Sequence, residues 1–376
     1  MLLAAVGIAL VAGVAIAFAA RQGGTNPPPE PLATALHDAA TAPAPKGIKA
    51  TVKFTNNLLP TSALAGQGVG SALITGASGR LWMTNDGRGR LELQSDAGDV
   101  QVVWNDTKVT IYDASSNTVY TLALPAQTGT TGTTDTHSPP TIDEIAKALA
   151  DAGQYWAIGE AVPSNIGGQP AYDVKVTPKT SAGLLGAAEL AFDAAHGVPL
   201  KAAVYARGSN SPVLSLVATS MSFGPVSSSA VDVAPPAGAT VVDIPTSAGN
   251  GSQPSTDVTG LAAVQAALPF HVAAPDTLGG LARTEVRLVG SGDHQGALVT
   301  YGDGLGTVAV VEHAANANAS SSPLDALPSV SVGSATGHEL GTPLGTVVTW
   351  DAGGVSYVLA GSVTAATAVA DAAAVK

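Results

Sequence analysis

The chain contains no cysteine in its 376 residues. That excludes disulfides, iron–sulfur clusters, thiolate zinc sites and a lipid-modified N-terminal cysteine. Charge is scarce, at 12% of residues, and positive charge scarcer still, with 16 Lys and Arg against 28 Asp and Glu. The net charge of −12 argues against nucleic acid and against an anionic membrane surface as electrostatic partners. Aromatic residues are only 4%, so the 45% apolar content consists mainly of Ala, Val and Leu. This is too apolar for a disordered chain and ample for buried cores.

Catalytic signatures are also missing. The seven histidines, His37, His137, His196, His271, His294, His313 and His338, stand singly, with no spacing that would hold a metal, and read as solvated turn or strand residues. No Gly-x-Ser-x-Gly elbow occurs. Glu144 and Lys147 read as an exposed ion pair on a helix, and "GDG" around Asp303 as turn chemistry. The glycines of "LITGASGRLW" (Leu73–Trp82) invite a nucleotide-binding reading, which needs a helix directly after them. The chain continues "RLWMTNDGRGRLEL", which is strand, turn, strand, so "GASG" is a turn. "GQGVG" (Gly66–Gly70) and "GDGLG" (Gly302–Gly306) fail in the same way.

What is present begins with a long apolar run. "MLLAAVGIALVAGVAIAFAA" (1–20) is long enough to cross a bilayer as a helix, and a Pro/Gly linker follows over 21–31. It reads as a membrane anchor, or as a signal peptide cleaved after "AFA" (Ala17–Ala19). Either way the remainder is exported, and it is tethered on the extracytoplasmic side or secreted accordingly.

Beyond a short helix over Leu32 to Ala40, the apolar pattern changes to period two. "IKATVKFT", "SALITG", "RLWMTN", "RLELQSD", "VQVVWN", "KVTIYD" and "TVYTLALP" alternate, separated by Gly, Asn, Asp and Ser corners, which predicts an antiparallel meander from Lys49 to Leu124. A polar loop follows, then "TIDEIAKALADAG", where Thr141 and Glu144 form a capping box, Ile142, Ile145 and Leu149 share a face, and Gly153 stops the helix. Strands resume at Tyr155–Val162, Pro170–Pro178, Ala188–Asp193, Pro199–Ala206 and Leu214–Gly224, and "VDVAPPAGATVVDIP" closes the unit. An Asp…Gly turn joins the strands of "AELAFDAAHGVPLKAAVYA". So many consecutive strands with few helices predict one strongly curved antiparallel sheet whose concave face a helix or a ligand must cover.

The stretch from "SALITGASGRLWMTNDGRGRLELQ" to "TVYTLALP", with "AYDVKVTP", "AELAFDAAHGVPLKAAVYA" and "APPAGATVVDIP", resembles the LolA superfamily of envelope lipid and lipoprotein carriers. Its members include the LppX/LprG lipoproteins and the large domain of RseB. The resemblance covers Leu32–Pro245 and implies an α+β half-barrel with covering helices over an apolar cavity. After a linker at 246–256, residues 257–376 read as a smaller α+β domain with an antiparallel sheet. They open with a helix capped by Asp257, and an Ala-rich helix near Thr364 or Thr367 ends them. "PFHVAAPDTLGGLARTEVRLV" and "TWDAGGVSYVLAGSVTAATAVADAAA" are similar to a small domain of bacterial extracytoplasmic and anti-sigma regulatory proteins.

Candidate cavity residues are Leu81, Trp82, Met83, Leu91, Leu93, Val102, Trp104, Val109 and Ile111 on strands, Ile142, Ile145 and Leu149 on the capped helix, and Trp156. Both strand faces carry bulky apolar groups, so alternation alone leaves open which face lines the cavity. The expected function is non-enzymatic and needs no cofactor: a carrier or sensor that holds lipid or lipoprotein acyl chains. The alternative is an RseB-like regulator that binds an anti-sigma factor or other envelope protein.

Overall fold

A computed structural model describes residues 26–59, 72–124, 139–244, 258–292, 295–315 and 327–375. The apolar run 1–20, the Gly66–Gly70 turn, the polar loop after Leu124, the linker 246–256, His137, Asp257 and His294 lie outside these residues. Among the described residues no helix is long and apolar enough to cross a membrane.

The chain builds two sheets. The first contains β1 (Gly47–Asn56), β2 (Ala77–Thr84), β3 (Gly89–Gln94), β4 (Val100–Trp104), β5 (Lys108–Asp113), β6 (Thr118–Ala123), β7 (Trp156–Ile158), β8 (Val162–Ile166), β9 (Gln169–Pro178), β10 (Leu185–Asp193), β11 (Pro199–Ala206), β12 (Pro212–Phe223) and β13 (Thr240–Ile244). Their order is β13-β6-β5-β4-β3-β2-β1-β12-β11-β10-β9-β7, with β8 paired to β9. All pairings are antiparallel except β13 on β6.

Register makes one face of this sheet apolar. Ile48 and Ala50 stand opposite Met83 and Leu81 on β2 and opposite Phe223 and Met221 on β12. The intervening Lys49 and Lys53 point the other way, as strand geometry requires. The same phase runs through Leu91, Val102 and Ile111 on one side and through Leu216, Ala202, Leu190 and Val174 on the other. The opposite face carries a charged group in which Lys201 pairs with Asp173 and Glu189, and Tyr205 donates to Glu189.

The apolar face is the inside of a curl. Three inter-strand steps separate β9 from β12, about 14 Å at ordinary spacing. Yet the β8–β9 turn reaches β12: the Met221 amide donates to the Gly167 carbonyl at 2.9 Å, and Gln169 Nε2 donates to the Met221 carbonyl at 2.8 Å. Gly167 has φ +61°, and a Cβ there would stand 3.1 Å from the Ala218 carbonyl oxygen, so only glycine suits this crossing. Ile48, Val52, Leu93, Leu200 and Met221 are buried within the curl. Helix α1 (Leu32–Thr41) lays Ala35, Leu36 and Ala39 on Tyr172, Val174 and Phe192. The first sheet is thus the α+β half-barrel the LolA-like resemblance implies.

The capping box of α2 (Ile142–Ala152) is present, and Gly153 closes the helix. Gly76 turns with φ +83°, but Gly79 lies inside β2. "SALITG" does not continue the meander: Ala72–Thr75 is a single helical turn, with Ala72 fully buried and the Leu73 carbonyl held by Asn56 Nδ2 at 2.7 Å. Tyr155–Val162 is not one strand: it holds the short β7 and the first residue of β8. Glu144 bonds Thr141 rather than Lys147, and Lys147 pairs with Asp151 at 2.9 Å. His196 is not solvated; it is buried beside Asp193 at 2.7 Å and stacks on Phe223, in the Asp193–Gly197 turn.

The second sheet runs β14 (Thr277–Leu278), β15 (Leu281–Val289), β16 (Gly296–Tyr301), β17 (Val308–Ala314), β21 (Val355–Gly361), β20 (Gly345–Ala352), β19 (Ala335–Thr342) and β18 (Ser329–Val332), all antiparallel. Helices α3 (Leu261–Ala267) and α4 (Ala365–Ala374) pack on it. α3 starts at Leu261 with Gly260 as N-cap, not at Asp257; Thr364 caps α4. The two sheets touch: the Leu184 amide donates to Ser362 Oγ at 2.8 Å, and Leu344 packs against the cluster of Leu58, Ala206, Val213 and Leu214.

Candidate functional site

Helix α2 is well made and poorly buried. Thr141 Oγ1 accepts from the Glu144 amide at 3.3 Å, and Glu144 Oε2 accepts from the Thr141 amide at 2.8 Å. The Thr141 amide, and the Thr141 hydroxyl donating to the same Oε2 at 2.9 Å, favour the Glu144 carboxylate and hold its pKa below the usual range. The stripe Ile142, Ile145 and Leu149 should drive such a helix onto a core, yet no residue of α2 is buried. It is held by His37 Nδ1 of α1 against the Pro140 carbonyl and, beyond β9, by Lys179 Nζ on the Gly153 carbonyl.

Under its C-terminal end is a cavity of about 1050 Å³. Pro29–Leu32, then Leu149, Ala150 and Gly153 of α2, then Trp156–Pro163 and Lys179 enclose it. Its size suits a sizeable ligand; small-molecule sites are roughly 300–1000 Å³. A second, narrower space of about 270 Å³ is a trough on the inner face, floored by Phe54, Val176, Leu190, Ala202, Val204 and Leu216. Leu190 is 45% exposed there, an unusual state for a leucine on the inside of a curled sheet. Ile158 of the cavity and Val176 of the trough are cross-strand partners, so one strand pair borders both spaces.

Of the residues picked from sequence, Leu149 and Trp156 border the cavity. Ile142 and Ile145 continue its helical wall outward. Leu81, Met83, Leu91, Leu93, Val102, Trp104, Val109 and Ile111 share the inner face by register, in the β2–β5 half, away from both spaces. Leu93 is fully enclosed, and the Trp104 indole lies over Gly89. Trp82 is on the outer face opposite Lys49 and Arg90, with the Arg80 and Arg90 guanidiniums each 5.3 Å from its ring centroid. The trough residues were missed because Ala188 and Ala202 carry no signal of their own in an alanine-rich chain. The available signal was their phase with Phe54 and Leu216.

Among the described residues no three His, Asp or Glu side chains gather to hold a metal. The arrangement is a largely apolar recess, open to solvent, with a polar rim of Glu30, Glu160 and Lys179. Its chemical capacity is to shelter a hydrocarbon chain and leave a polar head in water.

No family model matches the chain, and no curated protein matches it. Among solved structures it is similar to MucB in the Pseudomonas aeruginosa MucA/MucB complex, at 15% identity over 90% of this chain and 95% of that one, with a TM-score of 0.42. MucB determined by itself gives 18% identity over the same shares and a TM-score of 0.37. A putative outer membrane lipoprotein-sorting protein domain from Vibrio parahaemolyticus matches over 50% of this chain and 89% of its own, at 12% identity and a TM-score of 0.18. All three scores fall below 0.5, and the fold and site described above stand on the chain's own geometry.

Proposed function

We propose that the chain is a non-enzymatic, extracytoplasmic carrier or sensor of the bacterial cell envelope that holds lipid or lipoprotein acyl chains in its half-barrel. Residues 32–245 form the binding unit and 257–376 a second one. The observation that carries this reading is the uncovered apolar trough, with Leu190 45% exposed, opening beside a cavity of about 1050 Å³. At about 30 Å³ per water-sized group, the trough alone admits roughly nine methylenes. At about 0.8 kcal/mol each, these contribute about 7 kcal/mol before ordering costs. No charged contact is needed, which fits a chain poor in cations. Protein purified from its native host, extracted with organic solvent and analysed by mass spectrometry, is expected to yield near-stoichiometric acyl lipid. A clean blank ends the reading.

A second reading, the binding of an anti-sigma factor or other envelope protein, is favoured by edge strand β13. Val241, Val242 and Ile244 are exposed on it, 40% or more each, so it suits the addition of a partner's extended segment. A photo-crosslinker at Val242 should give one band that the extracytoplasmic segment of the anti-sigma factor competes away. Absence of competition ends that reading.

A further inference from the structure

Beside the charged groups at its mouth, the larger cavity carries apolar side chains on its margin. Val162, which lines it, is 57% exposed, and Tyr155, beside the lining residue Trp156, is 71% exposed. Pro29 and Pro31 complete the same margin. An exposed tyrosine beside a half-buried tryptophan, with a valine and prolines, is the composition of a side-chain belt at a membrane–water boundary, where amphipathic rings are at home.

The chain upstream starts from this rim. The Pro28 carbonyl accepts from Tyr172 Oη at 2.7 Å, which fixes the strap Pro28–Leu32 at the mouth. Eight residues lead back from Pro28 to the end of the apolar run at Ala20. Fully extended they reach about 29 Å at most, and the prolines at 27–29 keep the last part stiff. A 20-residue apolar run spans about 30 Å as a helix, the thickness of a bilayer core. With that run in a membrane, the tether holds the mouth next to the bilayer surface.

We infer that the rim of Tyr155, Trp156, Val162 and the Pro28–Pro31 strap docks on a lipid bilayer, so that the cavity opens onto the leaflet in which the chain is anchored. The contact is apolar rather than electrostatic, since the chain carries a net charge of −12 and the mouth holds Glu30 and Glu160 beside one lysine, Lys179. An acyl chain then moves from leaflet to cavity without crossing water. This last consequence rests on the acyl-chain reading above; the docking itself does not.

Because the chain has no cysteine, one introduced thiol takes a spin label cleanly. The full chain carrying Val162→Cys, reconstituted in phosphatidylcholine vesicles, should show a ratio of lipid-dissolved oxygen to aqueous nickel collisions several-fold above that of Val241→Cys, which is 63% exposed on β13. Equal ratios at the two positions overturn the docking, as does failure of the chain to associate with the vesicles. Tyr155→Glu should slow transfer of a labelled fatty acid from vesicles by about 10-fold or more, while capture of the same fatty acid supplied as monomer is unchanged. Equal transfer by Tyr155→Glu and the parent chain also overturns it. Loss of capture from both sources in the parent chain sinks the acyl reading and leaves the label contrast to decide the docking.

Discussion

As the pH rises from 4.5 to 7, the second sheet is expected to lose about 3 kcal/mol of stability, and Glu312→Gln to abolish that loss. Glu312 lies on β17 in phase with Val308 and Val310, and all three are fully buried. One carboxylate oxygen accepts from the Ala273 amide at 2.9 Å; the other has no partner among the described residues. Burial raises its pKa to about 7, against an ordinary 4.5, and the Ala273 bond offsets only part of that. The folded chain therefore binds a proton that the unfolded chain has already released between these two values. Stability must fall as pH rises through that window and level off above it. Two and a half pKa units correspond to about 3 kcal/mol.

Glutamine keeps the shape of the protonated carboxyl and cannot ionise. Above pH 7 the variant should be the more stable protein by most of that amount; below pH 4.5 the two should match. With two sheets in one chain, a single melting curve mixes their transitions. Hydrogen exchange followed on Gly296–Tyr301 and Val308–Ala314 isolates the one that matters. An unchanged slope of protection with pH in Glu312→Gln would show that another group carries it. Tyr301, buried nearby with a hydroxyl that has no partner among the described residues and a pKa raised to about 12 by burial and by the Glu312 charge, titrates too high to be that group.

Glu312 also shows what a sequence gives and withholds. In "TVAVVEH" its phase with two valines already points it inward, so burial was legible; that no cation would meet it there was not. The capping box at Thr141 was legible because every atom in it is within one turn. Alternation made Leu81, Met83, Leu91, Val102 and Ile111 candidates but left their face open; register puts them inside and Trp82 outside, because where three apolar residues run together only one phase can face the core. The arginines at 80 and 90, which cover that indole from outside, were the overlooked cue. "SALITG" misled because a strand-like pattern was overridden by packing, with Ala72 driven into the core and Asn56 capturing the Leu73 carbonyl. The cavity and trough were out of reach from sequence, since they depend on how far β9 curls toward β12. That distance is set by the Gly167 crossing, a contact between segments some fifty residues apart.

The trough supplies the sharpest functional test. Ala202 stands between Leu190 and Leu216 on the inner face and is half-buried. In Ala202→Trp the indole would fill the trough rather than the core, because its neighbour Leu190 is 45% exposed and leaves room. Excluding about four methylenes of a bound chain forfeits about 3 kcal/mol, so affinity for a long fatty acid is expected to fall by about 100-fold or more, read by displacement of a fluorescent fatty acid. Thermal stability should hold or rise, since the added ring covers surface now open to water. A chain seated wholly in the 1050 Å³ cavity would be indifferent to this substitution and sensitive instead to Leu149→Trp, which narrows that space. Undiminished affinity in Ala202→Trp therefore removes the trough from the binding site. Undiminished affinity in both variants removes both spaces, the trough and the cavity, from the binding site.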